Sequence, residues 1–180
     1  MTSSLTCDTI TDAAGLEAIA PEWWRLWAEC ARATPFQTPA WLLAWWTTFA
    51  PGDLCAVAIR RDGRLAGLAP FYLAHDHEGR RILPLGLSVT DYHDVLLAPG
   101  QEESAATALI SHMSSAPWDA WELTELQPEA EALRLAPPSG CEVRSEVASA
   151  CPVLALPSRV EDLPRHFPRR KRRALRTAHN

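Results

Sequence analysis

The sequence has little lysine and little glycine, and it lacks any repeat. Of its 17 basic residues only Lys171 is a lysine, and its 8 glycines follow no period, which excludes a collagen-like or low-complexity chain. A hydrophobic fraction of 47% and a charged fraction of 22% are ordinary for a globular protein, so wholesale disorder is excluded as well. The length of 180 residues predicts one domain, or one domain and the start of another.

Signals for secretion and for a membrane span are also missing. Residues 1–15 have neither the basic nor the apolar region of a signal peptide, and no apolar run approaches the roughly 18 residues of a span. The 5 cysteines form no C-x-x-C pair. An odd number of unpaired thiols favours a reducing compartment and disfavours a cysteine zinc site. We therefore expect a cytoplasmic protein without a membrane span.

Acidic residues are absent from the C-terminal end of the chain. Up to Asp162 there are 22 acidic and 10 basic side chains, a net charge of −12, whereas residues 163–180 carry seven basic side chains and none that is acidic. Such a change in charge indicates either a functional basic tail or a new domain that begins near the end.

The hydrophobic pattern predicts a mixed α/β chain. Pro21 interrupts the first helix, and Thr38-Pro39 is a strong start for the next one. The predicted elements are a strand at 5–10, helical pieces within 12–32, a helix at 38–50, strands at 54–60, 65–74, 81–85 and 95–97, a helix at 102–114, a strand at 121–126, helical turns at 129–135, a strand pair within 142–156 and a helix from 169. This is the order of the Gcn5-related acetyltransferase fold, a mixed sheet flanked by helices.

Four segments carry a more specific resemblance. Residues 35–46 (PFQTPAW running on to WW), 67–72 (GLAPFY) and 83–94 (LPLG, then DYHD) resemble, in order and spacing, motifs of the CelD-type family. That family comprises bacterial acetyltransferases linked to the synthesis of cellulose or other exopolysaccharides. Residues 168–177 resemble the arginine-rich start of the second half of these proteins.

The resemblance implies a domain organisation and an activity. Residues 1–157 would be an acetyltransferase-like N-terminal domain, and 158–180 a linker with the start of a truncated second domain of the same fold, expected in cis. The complete enzyme would move an acyl group from acetyl-CoA or another acyl-CoA to an amine or hydroxyl of a small molecule or saccharide. A non-catalytic binding or scaffold domain of the same fold is the alternative.

The loop that would hold the acyl-CoA pyrophosphate is not evident. Such loops read Q/R-x-x-G-x-G/A and present backbone N–H groups at the start of a helix. Here the corresponding helix starts with Gln101-Glu102-Glu103, whose carboxylates would repel a phosphate. The cofactor-binding residues are therefore unknown, and we expect the 180-residue chain to be inactive alone.

Asp91, Tyr92, His93 and Asp94 form the best local cluster for catalysis. A carboxylate or imidazole in a cleft could take the proton from an attacking hydroxyl or amine, and a tyrosine could act as an acid. The alternative is a polar loop in which a carboxylate caps a turn.

Candidate substrate contacts come from the aromatic residues and the motifs. Trp41 and Trp45 lie beside the predicted buried face of their helix, which is formed by Leu42, Trp46 and Phe49, and could stack on a sugar ring. The motif residues Gln37 and Tyr72 complete this set. Core packing is the competing interpretation for tryptophans at helical spacing.

Two further patterns have simple explanations. His75 and His77 have the chemistry of metal ligands, but their segment reads as a solvated hairpin loop, and we predict no metal site. The basic run 169–173 could bind nucleic acid or anionic lipid through its charge. Without interleaved aromatic residues we expect no specific nucleic-acid partner.

Overall fold

The structure is a computed structural model that describes residues 5–179, without the side chains of 174–176, 178 and 179. The chain divides into two compact units, Met1–Arg144 and Ser145–Asn180. Strands and helices alternate in the first unit, so the predicted mixed α/β class, with sheets flanked by helices, is confirmed.

The first unit contains eight strands and four helices among its described residues. In chain order they are β1 (Leu5–Ile10), α1 (Ala13–Ala18), α2 (Ala20–Glu29), α3 (Pro39–Phe49), β2 (Asp53–Leu54), β3 (Ala56–Arg61), β4 (Arg64–Ala69), β5 (Phe71–Asp76), β6 (Gly79–Pro84), β7 (Leu96–Leu97), α4 (Glu102–Ser114) and β8 (Ala120–Trp121). Short 3₁₀ helices at Pro35–Gln37 and Glu131–Arg134 complete the unit.

The strands form two four-stranded sheets. One has the order β1-β3-β4-β7 and is antiparallel throughout; the other has the order β2-β5-β6-β8, in which β6 and β8 are parallel. The chain passes from the first sheet to the second at Pro70, which has no N–H to donate to a ladder. The Pro70 carbonyl oxygen instead accepts a bond from the Leu85 N–H at 2.8 Å. The predicted long strand 65–74 is therefore two strands, β4 and β5, in different sheets.

Two hydrophobic cores hold the unit together. The first lies against α1, α2 and α3 and includes the fully buried Trp23 and Leu26. The second contains the buried face of α4, with Leu109 and Met113 at 0% exposure. Burial of side chains of this size stabilises the fold by about 1.5–3 kcal/mol each.

The buried face of α3 contains Leu42 and Trp46 as predicted, but it includes Trp45 in place of Phe49. Trp45 is 6% exposed and Phe49 54% exposed, although the sequence pattern placed Phe49 on the buried face and Trp45 beside it. Phe49 is the last residue of the helix, where Ala50 turns the chain with a φ of +32°. The neighbouring face of α3 meets β5 instead, where the Trp45 and Tyr72 rings lie 5.7 Å apart.

The strand pair predicted within 142–156 is wrong. This segment has no regular secondary structure and belongs to no ladder, and Val147 and Val153 are 92% and 89% exposed. Alternating apolar residues form a strand only where a neighbour accepts their backbone bonds and covers their side chains. The strand predicted at 121–126 is likewise reduced to β8.

The second unit contains a 3₁₀ helix at Val160–His166 and the helix α5 at Arg169–His179. The predicted helix from 169 is therefore confirmed. None of the helices in the described range is long and apolar enough to cross a bilayer.

The loop after β6 is closely packed around Gly86. Its φ is +93°, and an added Cβ would overlap Thr90 Oγ1 and lie 3.1 Å from Leu42 Cδ2. Gly100 has a φ of +75° but no atom within 4 Å of such a Cβ. We expect Gly100→Ala to lower the free energy of unfolding by about 1 kcal/mol. The overlap should make the loss for Gly86→Ala larger by a further ~1–3 kcal/mol.

Urea denaturation of the two variants measures this difference. Equal losses of stability would show that the loop moves away from the added methyl group, and that the packing of Thr90 against Gly86 is not constrained.

Candidate functional site

Gln37 lies at the centre of the candidate site. Its side chain is 3% exposed, and its Oε1 accepts bonds from the Thr34 N–H at 2.7 Å and the Thr34 hydroxyl at 2.8 Å. Its Nε2 donates to the carbonyl oxygen of Tyr92 at 2.5 Å. The amide therefore caps the 3₁₀ helix Pro35–Gln37 and joins it to the loop that precedes β7.

Two tryptophans of α2 hold the same turn from the other side. Trp23 Nε1 donates to the Gln37 carbonyl oxygen, and Trp27 Nε1 to that of Thr34, both at 2.8 Å. Trp23 is fully buried, so its indole N–H needs such a partner. The start of the 35–46 motif is thus fixed by hydrogen bonds to both α2 and the 83–94 motif.

Trp41 and Trp45 have different environments. Trp41 is 37% exposed, and its Nε1 donates to the buried Thr90 Oγ1 at 3.0 Å. Trp45 is buried between Phe49 and Tyr72, with ring centroids 5.6 and 5.7 Å away. Of these two tryptophans only Trp41 presents a substantial surface to a solute.

Tyr72 is also buried, with an exposure of 4%. Burial raises the pKa of its phenol, against the opposing effect of the Arg81 charge. Both Tyr72 and Gln37 thus have contacts within the fold, and a substrate contact for either of them stays a prediction.

Asp94 caps a turn. Its Oδ1 accepts the N–H groups of Val95 and Ala132, both at 2.8 Å, and its Oδ2 accepts that of Glu131 at 3.0 Å. Burial raises the pKa of this carboxyl, while the three N–H bonds oppose the rise. Its lone pairs are directed at the Glu131–Arg134 helix, so the geometry matches the capping alternative.

His93 is buried next to Asp94 in the sequence, in surroundings that disfavour the charged form of its imidazole. Its Nδ1 lies 3.1 Å from the Thr124 carbonyl oxygen and donates to it, and its exposure is 5%. Burial lowers the pKa of the imidazole, although the Thr124 and Gly86 backbone and the Glu125 charge oppose this. The Nε2 atom of the ring is buried.

Asp91 and Tyr92 lie at the surface of the same loop. Asp91 is exposed and Tyr92 half-buried. The Tyr92 ring packs on Phe36, with centroids 6.0 Å apart and planes at 69°, and Phe36 in turn packs on Trp41 at 5.1 Å and 81°. The structure thus brings together Gln37, Trp41 and Tyr92, and it adds Phe36. Sequence reasoning missed Phe36, although its position next to Gln37 in the motif was a signal.

The start of α4 does not fit the pyrophosphate of an acyl-CoA. Glu102 and Glu103 lie in its first turn, and the Gln101 side chain makes no capping bond. Gly100 faces open space rather than a close backbone contact. An anion would meet two carboxylates where a helix N-terminus normally offers a favourable field.

A cavity of about 590 Å³ next to this helix has a mixed lining. Arg25 and Arg64 both contact Glu29, with N–O distances of 3.0 and 2.8 Å. The third arginine of the cavity, Arg61, donates to the Ser104 hydroxyl at 3.0 Å. The lining also contains Asp62, so three guanidinium groups face two carboxylates and the excess positive charge of the cavity is small.

The hairpin histidines lie apart from this site. His75 is on β5 and contacts Asp53 at 2.9 Å, whereas His77 is in the turn before β6. In the part of the chain that the structure describes, no group of three His, Cys, Asp or Glu side chains is placed to hold a metal ion.

The comparisons with known proteins give one structural similarity. No family model matches the chain, and neither does any curated protein. A similar solved structure is that of the aminoglycoside N-acetyltransferase AAC(6')-Iy in complex with CoA. Its TM-score is 0.47 and its sequence identity 14%, over 84% of this chain and 97% of that chain. The comparisons therefore assign no family to the chain.

The neutral His93 predicts a pH-dependent stability. Its pKa in the folded protein lies below the ordinary value of 6.5, so the unfolded chain binds the proton more readily. The contribution of His93 is then complete above that value and is lost as the pH falls through the pKa of the folded protein. This single group adds a slope of at most about 1.4 kcal/mol per pH unit.

Urea denaturation between pH 5 and 7.5 measures the slope in the wild type and in His93→Gln. The slope should decrease in His93→Gln and stay unchanged in His77→Gln, since His77 is an exposed histidine of the turn before β6. If His93→Gln keeps the wild-type slope, then His93 is not buried in its neutral form.

Proposed function

We propose that this chain is the non-catalytic N-terminal domain of a CelD-type acyltransferase. The complete enzyme would transfer an acyl group from an acyl-CoA to an amine or hydroxyl acceptor, including one on a saccharide. The carrying observation is that the motif segments 35–46, 67–72 and 83–94 contact one another. Gln37 bonds to Tyr92, Trp45 packs on Tyr72, and Leu85 donates to Pro70.

The geometry favours a non-catalytic role. The Asp94 carboxylate accepts hydrogen bonds from three backbone N–H groups, and His93 is 5% exposed with its Nε2 buried. A general base must reach the proton of an acceptor that is bound in a cleft. Of the four candidates only His93 is buried; Asp91 is exposed, Tyr92 and Asp94 are half-buried, and a role of any of them in such a reaction stays a prediction.

The start of α4 supports a donor site outside this domain. Its first-turn carboxylates, Glu102 and Glu103, place negative charge beside the backbone N–H groups that would hold a pyrophosphate. On this proposal the acyl-CoA binds to a second domain in cis.

Exposed apolar residues between 143 and 160 fit this organisation. Val143, Leu156 and Val160 are 64%, 74% and 79% exposed, in addition to Val147 and Val153. Contact of this segment with another body would remove these apolar side chains from water. A second domain of the same fold would be that body.

The proposal predicts that the 180-residue chain does not bind acetyl-CoA. Isothermal titration should give no saturable heat up to about 1 mM ligand, because Glu102 and Glu103 oppose the phosphates. The product of the whole reading frame that contains this chain, titrated identically, should bind in the micromolar range and release CoA in the presence of an acceptor.

Saturable binding by the 180-residue chain would contradict the non-catalytic assignment. A reading frame that encodes no second domain, or a full product without acetyl-CoA binding, would contradict the acyltransferase. Cooperative thermal unfolding of each sample shows that the proteins are folded.

A second candidate function, binding of an anionic polymer, is favoured by α5. Arg169, Arg170, Lys171 and Arg173 are exposed, and none of them forms an ion pair with another described residue. Consecutive cations on a helix give affinity for phosphate or carboxylate polymers without sequence readout.

This candidate predicts salt-sensitive binding to a single-stranded oligonucleotide. Fluorescence anisotropy should show that affinity falls at least about tenfold between 50 and 200 mM salt. It should also be lost when residues 169–173 are replaced by glutamine. The matched control also removes five positive charges and should leave the binding unchanged; it replaces by glutamine the exposed Arg32, Arg134, Arg144, Arg159 and Arg165. If both variants bind alike, α5 is not the binding surface.

A further inference from the structure

Residues 127–135 lie across a cavity from an edge strand. They contain the 3₁₀ helix Glu131–Arg134, and we call them the strap. The sheet order places β7 at an edge, next to β4. A cavity of about 260 Å³ is lined by Leu96 and Leu97 of β7 and also by both end residues of that 3₁₀ helix. The strap and the edge of β7 thus form two walls of the same cavity.

Two side chains outside the strap hold it in place. The Asp94 Oδ2 accepts the Glu131 N–H at 3.0 Å, and its Oδ1 accepts the Ala132 N–H at 2.8 Å. Arg32 donates to the Glu129 carbonyl oxygen at 3.2 Å and lies 3.7 Å from the Glu131 carboxylate. Asp94 and Arg32 also line the cavity. The attachment of the strap therefore consists largely of polar contacts at the margin of the cavity.

The strap buries few apolar side chains of its own. Ala130 and Ala132 are each 5% exposed, but each of them buries only a methyl group. Leu133 is 51% exposed, and Leu135 is half-buried at the edge of the second core. Because the gain from apolar burial scales with the area that is removed from water, the strap gains little from it. Segments with few buried apolar contacts open locally more readily than the core does.

Cys30 lies in the same cavity. Its thiol is half-buried and donates to the Leu97 carbonyl oxygen at 3.2 Å. Burial raises the pKa of this thiol to about 11. Since the thiolate is the reactive form, Cys30 reacts slowly while the strap is in place. The rate at which Cys30 reacts is therefore a measure of access to the cavity.

We propose that the strap is a gate that opens and closes over the cavity beside β7. On opening, the N–H groups of Glu131 and Ala132 leave Asp94, whose carboxylate keeps the Val95 N–H at 2.8 Å and otherwise faces the cavity. A solute can then reach Asp94 and the edge of β7. The inference goes beyond the proposed function. Its test measures access to a thiol rather than acyl transfer, so either can fail without the other.

Two substitutions weaken the attachment of the strap. Glu131→Pro removes the N–H that Asp94 accepts and the carboxylate near Arg32. The backbone accommodates it, because Ala130 has a φ of −56° and a ψ of 138°, which suit a residue before proline, and proline suits the first position of a helix. Arg32→Gln removes the other attachment. Since it deletes a positive charge, it disfavours the Cys30 thiolate and cannot speed the reaction in that way.

Alkylation of Cys30 by iodoacetamide, followed by peptide mass spectrometry, measures the opening. Glu131→Pro should raise the rate at least about tenfold, the effect of one lost hydrogen bond to a charged group. Arg32→Gln should raise it about threefold, the effect of one exposed ion pair. In the matched control, Arg134→Gln, the rate should stay within about twofold of the wild type, because Arg134 contacts Glu131 within the strap, at 3.2 Å. Cys55, which is half-buried against the second core, should react at the wild-type rate in every variant.

A second measurement needs no substitution. In hydrogen exchange of the wild-type chain, the protection factor of the Ala132 N–H should be at least about a hundredfold smaller than that of the Leu109 N–H in α4, and insensitive to low urea. Equal protection of the two groups with the same urea dependence overturns the inference, because the strap would then open only in global unfolding. An unchanged rate for Cys30 in Glu131→Pro also overturns it, as does an equal rise for Cys55.

Discussion

The buried amide of Gln37 is the constraint on which the site depends. It satisfies the Thr34 N–H and hydroxyl with its oxygen and the Tyr92 carbonyl with its nitrogen, while its own carbonyl accepts from Trp23. A buried polar group left without a partner costs about 1–3 kcal/mol. The entry to α3, the helix α2 and the loop before β7 are therefore fixed together, and Trp41 and Tyr92 are brought beside Phe36 as a consequence.

These hydrogen bonds give several motif residues a structural role that their chemistry alone does not indicate. In the DYHD segment, Asp94 and His93 look suited to acid–base chemistry, yet Asp94 caps the 3₁₀ helix Glu131–Arg134 and His93 donates to Thr124. His93 is thus part of the packing and the half-buried Asp94 is held by backbone N–H groups, whereas Asp91 is exposed. A sequence motif can be well defined because its residues are needed for folding. Function then depends on the side chains that the fold leaves exposed.

Local signals made most of the fold predictable. The proline after Thr38 marks the start of α3. The Asp62-Gly63 turn marks the point where β3 is followed by β4. The site was less predictable because its contacts are long-range: Gln37 and Tyr92 are 55 residues apart, and Trp41 and Thr90 are 49. Likewise, whether Trp45 or Phe49 is buried depends on where β5 lies, and helical spacing alone contains no such information.

The start of α4 shows why the fold by itself does not decide whether a donor binds. The helix has the position and length to offer an N-terminal anion site, yet Glu102 and Glu103 occupy its first turn. Nearby, Glu29 pairs with both Arg25 and Arg64. Each carboxylate lowers the electrostatic potential that a pyrophosphate would meet. A charge at a helix end acts most strongly within the first turn. The same backbone with neutral residues at 102 and 103 would be a better anion site. The affinity of this helix start for an anion thus depends on a few side chains.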